Sequence, residues 1–227
     1  MKTVKDIEIK VPISWSAITL TQYLKLQKDL EVYGDDEISH TATLLYHLCG
    51  VTPSIIPQLP TDTLNSIKMD LRGFLGDNDY PLQKIIKIDG KEYGFEPNLS
   101  KMSYGAYLDI TKWENITIDK NWNKIMSVLY RPIKSKVGPL YTIQPYDSDK
   151  AVYEIFDEVG MDVHFGAMFF FLRTLAELVK DTLNSLKEAE LPPNIKSTLE
   201  KNGELIKQLY NYQEMISPSS LLSLPSH

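Results

Sequence analysis

Four histidines and one cysteine are the side chains best suited to metal binding or nucleophilic chemistry in this chain. His40 and His47 stand seven apart on one predicted helix. Two imidazoles sharing a metal on one helical face need a spacing of four, as in His-Glu-x-x-His. The pair therefore reads as roughly solvent-facing. Cys49 lies near both in sequence, but side chains two apart on a helix point away from each other, so His47 and Cys49 do not form a thiol–imidazole pair. Within the apolar run Leu44 to Val51, Cys49 is expected to be a buried, inert thiol. His164 sits beside an aromatic cluster and reads as a hydrogen-bonded core or edge histidine, and His227 carries no positional information.

Oxygen ligands and phosphate cradles fare no better. Asp77-Asn78-Asp79 offers oxygens suited to calcium, but the glycine at the sixth position and the later bidentate glutamate of a calcium loop are missing. It reads as a polar turn. Gly73 and Gly76 are not followed by Gly-Lys-Ser/Thr, and neither a dinucleotide fingerprint nor a Gly-x-Ser-x-Gly elbow occurs. Asp35 with Asp36, and Asp157 with Glu158, read as solvated charges. No catalytic residue, cofactor or metal site is expected; an enzyme with an unrecognised site would have Cys49 with His40 or His47 as its candidates.

Composition narrows the classes further. The 227 residues are 43% hydrophobic and 24% charged, as in a folded globular protein, with a formal net charge of -6. Such a balance argues against specific nucleic-acid binding, which draws on dense basic patches. The basic residues Arg131, Lys134 and Lys136 read either as a phosphate contact or as a solvated loop. A single cysteine suits a reducing compartment, and residues 1–10, alternating charged and apolar, do not read as a signal peptide. The apolar stretch Val159 to Val179 is interrupted by Asp162, His164, Arg173 and Glu177. It therefore reads as a buried helix of a soluble intracellular protein, not a membrane span.

The predicted elements belong to an α+β, predominantly helical chain with a few short strands or hairpins, helix pairs and a helical C-terminal region. Asp6 to Pro12 alternates and reads as a half-buried strand. Thr19-Leu20-Thr21-Gln22 has the form of a capping box opening a helix that stops at Gly34. A second helix follows the acidic Asp35-Asp36-Glu37 and runs to Gly50; a third, opened by Thr61 or Asp62, runs to Leu75. Ile85–Ile88 and Glu92–Phe95 flank Asp89-Gly90, the strongest hairpin signal in the chain. Ser100 to Trp113 and Trp122 to Leu129 read as helices. Arg131 to Pro145 reads as irregular, with room for a short strand at Leu140 to Ile143. Ala151 to Glu158 reads as a short helix and Asp162 to about Glu190 as a long one, apolar on most faces at first. A last helix follows Pro192-Pro193. The organisation expected is an α+β region over 1–146, a helical region over 147–216, and a flexible or docking tail over 217–227.

An internal similarity cuts across this order. Tyr23-Leu24-Lys25-Leu26-Gln27-Lys28 resembles Tyr107-Leu108-Asp109-Ile110-Thr111-Lys112, an offset of 84 residues. At that offset Leu45-Tyr46-His47 falls on Leu129-Tyr130-Arg131. Two related units, about 6–56 and 84–135, would each run strand, capped helix, polar loop, second helix. They would supply either a pair of pseudo-equivalent surfaces or two similar helix hairpins filling one core.

What remains for function is apolar and aromatic surface. Tyrosine and tryptophan are favoured protein-interface anchors, and the candidate interaction surface is Tyr23, Tyr107, Trp113, Trp122, Tyr130 and Arg131. Core packing explains the tryptophans equally well. Three segments carry a family resemblance: Ile18-Thr19-Leu20-Thr21-Gln22-Tyr23-Leu24-Lys25-Leu26, then Val128-Leu129-Tyr130-Arg131-Pro132, then Val163 to Leu175 with Gly166, Phe170 and Phe171. Through them the chain resembles small tail-assembly or minor virion proteins of tailed bacteriophages of Bacteroidetes-type hosts, including the crAss-like group. The resemblance implies a virion-associated or tail-assembly protein, chaperone-like or structural, that acts by protein–protein binding without catalysis. Its implied partners are other tail, portal or capsid proteins, or copies of itself. It implies residence in the host cytoplasm during assembly, with or without retention in the virion. The alternatives are a phage-encoded enzyme and a host-directed regulator.

Overall fold

A computed structural model describes residues 8–33, 36–76, 80–98, 102–112, 121–171, 173 and 174. The first helix, α1 (Leu20–Tyr33), opens as its sequence dictates. Thr19 N–H donates to Gln22 Oε1 at 2.9 Å and Gln22 N–H to Thr19 Oγ1 at 3.3 Å, a reciprocal capping box. Helix N-termini leave further amides without partners, and here a distant segment supplies them. Leu20 N–H donates to the Val159 carbonyl at 3.2 Å, and Thr21 N–H to that of Asp157 at 3.0 Å. The start of α1 is thus tied to the chain just before the buried helix.

Helix α2 (Glu37–Cys49) is capped by Asp36, whose carboxylate accepts from the Ile38 and Ser39 amides, both at 2.9 Å. It ends at Gly50, whose φ of +68° is the left-handed turn that glycine adopts freely. α1 and α2 pack on each other. Helix α3 (Thr61–Gly76) presents Ile67, Leu71, Phe74 and Leu75 to the core, the spacing of one helical face.

The sheet is antiparallel with the order β1-β2-β3-β4: Ile85–Ile88, Lys91–Phe95, Tyr130–Val137 and Leu140–Ile143. Asp89 and Gly90 have φ of +49° and +79°, so the first hairpin closes through a turn with both central residues left-handed, as a type I′ turn requires. Helices α4 (Tyr104–Lys112) and α5 (Trp122–Leu129) lie in the chain between β2 and β3. Six of the eight residues of α5 are buried, and it passes directly into β3. The last helix, α6, covers the helical residues 161–171, 173 and 174. Met161, Val163, His164, Phe165, Ala167 and Met168 are all buried, as a helix enclosed on most sides requires. An aromatic cluster joins it to α1 and α3: Trp15 lies 4.6 Å from Phe74, 5.3 Å from Phe165 and 5.8 Å from Tyr23, centroid to centroid. At Gly166 α6 passes close to the backbone of Pro81, since a Cβ there would stand 2.7 Å from the Pro81 carbonyl oxygen.

The expected α+β class, dominated by helices, is what the chain adopts: six helices and one four-stranded sheet among the described residues. Three local expectations need correction. Residues 8–12 contain no strand. The segment Arg131 to Pro145 is not irregular: the short strand expected at Leu140 to Ile143 is β4, and most of β3 precedes it across a two-residue turn at Gly138-Pro139. β3 lacks alternation because Lys134, Ser135 and Lys136 are all exposed. Pro132 is also the last β3 residue to pair with β2, in keeping with its missing N–H. Finally, the short helix expected at Ala151 to Glu158 is a single 3-10 turn, Glu154–Phe156. The polar turn Asp77-Asn78-Asp79, the continuation of α6 to Glu190, the last helix and the tail lie outside the described residues.

The two segments related by the 84-residue offset hold α1–α2 and α4–α5 respectively. They differ at the aligned tyrosines: Tyr46 is exposed on α2, whereas Tyr130 is buried at the start of β3.

Candidate functional site

The residues that could do chemistry are each held by a neighbour. His40 and His47 are not a solvent-facing pair, because α2 packs that side of itself inward. His40 is buried, and His47 Nε2 lies 2.7 Å from Asp29 Oδ2 on α1. Cys49 is half-buried, and desolvation pushes its thiol up to about 11. A reactive cysteine has the opposite character, a thiolate stabilised near neutral pH. His164 is fully buried, accepting from Trp122 Nε1 at Nδ1 (3.1 Å) and donating from Nε2 to the Phe156 carbonyl (3.0 Å). Among the described residues no group of three or more His, Cys, Asp or Glu side chains is placed to hold a metal ion. No described helix is long and apolar enough to cross a membrane.

The six residues chosen as an interaction surface do not form an exposed patch. Tyr23, Trp122 and Tyr130 are buried. Each is a large, mostly apolar side chain on an element enclosed by others, and burial of that area outweighs the need to hydrate one polar tip. Tyr23 packs on Trp15 and Phe165, Trp122 bonds His164, and Tyr130 O–H donates to the Gln83 carbonyl at 2.6 Å. Tyr107 is on α4 and its side chain lies outside the described residues, as does Trp113 altogether.

Tyr130 and Arg131 do reach a surface feature from below. They line an open cleft of about 1020 Å³ between β2–β3, α4 and residues 144–156. Arg131 pairs with Glu96, each side chain 11% exposed, and donates from a terminal nitrogen to the Gln144 carbonyl at 3.1 Å. Burial pulls the guanidinium below its usual range, and the Glu96 carboxylate opposes that shift. At the rim Tyr146 O–H donates to Asp109 Oδ2 at 2.8 Å. Desolvation and this carboxylate both push the Tyr146 phenol up, so it stays neutral. Lys91, Arg131, Lys134 and Lys150 outnumber Asp109 and Asp147 in the lining. Arg131 is matched by Glu96 and Lys150 by Asp147, so the cleft keeps only a small positive excess.

The best-exposed apolar pair lies just beyond it, at the tip of the β3–β4 hairpin. Val137 and Leu140 are 81% and 75% exposed, and they are direct cross-strand partners. Opposed residues in an antiparallel pair share one face. Gly138 at +58° followed by proline, which holds its own φ near −65°, gives the turn of type II′. Lys134 and Lys136 are exposed on the same strand, and Lys136 reaches Glu92 at 2.9 Å. The choice of aromatic residues missed this tip; the signal available was Val-Gly-Pro-Leu, a turn flanked by two apolar residues beside lysines.

No family model, curated protein or solved structure matches the chain.

Proposed function

We propose that this chain works by docking onto other proteins, as a virion-associated or tail-assembly component of a bacteriophage, without catalysis. The observation that carries the docking reading is the tip of the β3–β4 hairpin, where Val137 and Leu140 project together into solvent. Covering an exposed apolar side chain of this size contributes about 1.5–3 kcal/mol, so two on one face form a small but directional anchor. Lys134, exposed on the same strand, favours a partner surface of negative potential, which speeds encounter and fixes orientation more than it adds affinity. The phage assignment is supported by the resemblance of three segments, all of which contribute to one core: Leu20, Tyr23 and Leu26; Val128 to Tyr130; and Val163 to Phe171.

The partners in this reading are tail, portal or capsid proteins, or further copies of the chain. Fractionation of an infected host culture tests it. A virion component co-sediments with purified particles, and an assembly factor travels with unassembled tail proteins. Absence from both fractions would overturn the reading.

A further inference from the structure

We propose that the outer edge of β1 takes up an extended, lysine- or arginine-bearing segment of a partner protein as a fifth strand. This rests on the reading that the chain binds proteins, and it specifies the chemistry of what is bound. β1 is the terminal strand of the sheet, paired on one side only among the described residues. A two-residue turn makes its flanking residues, Ile88 and Lys91, a hydrogen-bonded pair, and such pairs recur at every second position of an antiparallel ladder. Phe95 N–H donates to the Lys84 carbonyl at 2.8 Å, which sets the same phase at the other end. The N–H and C=O groups of Ile85 and Lys87 therefore point away from β2.

Those groups face a groove of about 610 Å³, whose far wall is residues 155–163. That volume lies within the range of roughly 300–1,000 Å³ common to ligand sites. Strand addition draws its affinity from such main-chain groups, and its specificity from what lines the groove. Here Asp89, Glu158 and Asp162 stand against Lys87 alone. Glu158 Oε1 accepts from Thr21 Oγ1 at 2.9 Å and Asp162 Oδ2 from Gln83 Nε2 at 2.6 Å. Both donors are neutral. Asp162 Oδ1 is buried against Gly160 with no hydrogen-bond partner. The surplus of negative charge selects a basic segment over an acidic one.

The test titrates the ¹⁵N-labelled chain with acetyl-Lys-Val-Lys-Val-Lys-Val-amide at millimolar concentration, with the Glu-Val hexapeptide as control. The Lys-Val peptide is expected to slow amide exchange at Ile85 and Lys87 by roughly tenfold, while Ile86 and Ile88, already bonded to β2, hold their rates. Lys87→Pro removes an outward donor and leaves the β1–β2 ladder intact, since proline is tolerated where an edge N–H faces solvent. It is expected to abolish the effect, and Asp89→Asn with Glu158→Gln to weaken it several-fold. Equal binding of the Glu-Val peptide, or unchanged exchange at Ile85 and Lys87, would overturn the proposal. So would protection of both amides in the free protein together with sedimentation as a dimer, which would give the edge to a second copy. Val137→Lys with Leu140→Lys leaves the groove intact and should bind the peptide normally, so failure at the edge and failure of hairpin docking are read separately.

Discussion

Trp122 Nε1 donates a hydrogen bond to His164 Nδ1 across 3.1 Å, inside the fully enclosed junction of α5 and α6. With Nδ1 accepting and Nε2 donating to Phe156, the ring is satisfied only as the neutral Nε2–H tautomer. The interaction joins two helices to the 3-10 turn that precedes α6. Burial pushes the His164 pKa down to about 4, so the ring stays neutral at physiological pH.

That shift makes the fold acid-sensitive in a defined window. The folded value lies below the ordinary 6.5, so the unfolded chain binds the proton first as pH falls. Stability linked to His164 is complete above pH 6.5 and is lost progressively down to about pH 4, amounting to about 3 kcal/mol. Urea denaturation between pH 7.5 and 4 checks this. Trp122→Phe leaves Nδ1 without its donor and a smaller ring in a buried site, and is expected to cost about 2–4 kcal/mol at pH 7.

Gly94 on β2 leaves room for Tyr141, which leans across from β4. A Cβ at Gly94 would stand 2.5 Å from the Tyr141 ring, and Tyr141 O–H is held by the Phe95 carbonyl at 2.7 Å. Gly94→Ala is expected to destabilise by about 1–3 kcal/mol through overpacking. Adding Tyr141→Leu should recover part of that loss, and thermal unfolding of both variants measures it.

Asp36 caps α2 as a carboxylate, and the Ser39 amide and hydroxyl hold it below its usual pKa. Its contribution is therefore present above the ordinary value of 3.8 and is lost as pH falls through the lowered folded value. At pH 7 the order of Tm expected is unaltered chain, then Asp36→Asn, then Asp36→Ala, because asparagine still accepts from the amides and alanine does not.

Elements governed by local rules were readable from the residues. The Thr19–Gln22 box, the acidic start of α2, the Gly50 stop and the Asp89-Gly90 turn each depend on residues within four positions. Burial was less readable where it depends on remote partners. Tyr23, Trp122 and Tyr130 could anchor an interface or fill a core, and remote partners decide for the core: α6 meets Tyr23 and Trp122, and Phe95 and Phe156 meet Tyr130. β3 is not legible in the residues because a strand exposed beyond the main sheet needs no apolar alternation, whereas β4 stands where a short strand is expected, at Leu140 to Ile143. His47 is not legible from its own helix because its partner, Asp29, lies on the preceding one.

The central claim, docking through the hairpin tip, is tested most directly by site-specific photo-cross-linking from positions 137 and 140 during phage assembly. Met69 on α3, 72% exposed and remote in the chain from the hairpin, is the control position. The account predicts cross-links to a tail, portal or capsid protein, or to a second copy, from both tip positions and none from position 69. Tip positions that capture nothing, while the protein itself remains folded and associated with particles, would contradict it.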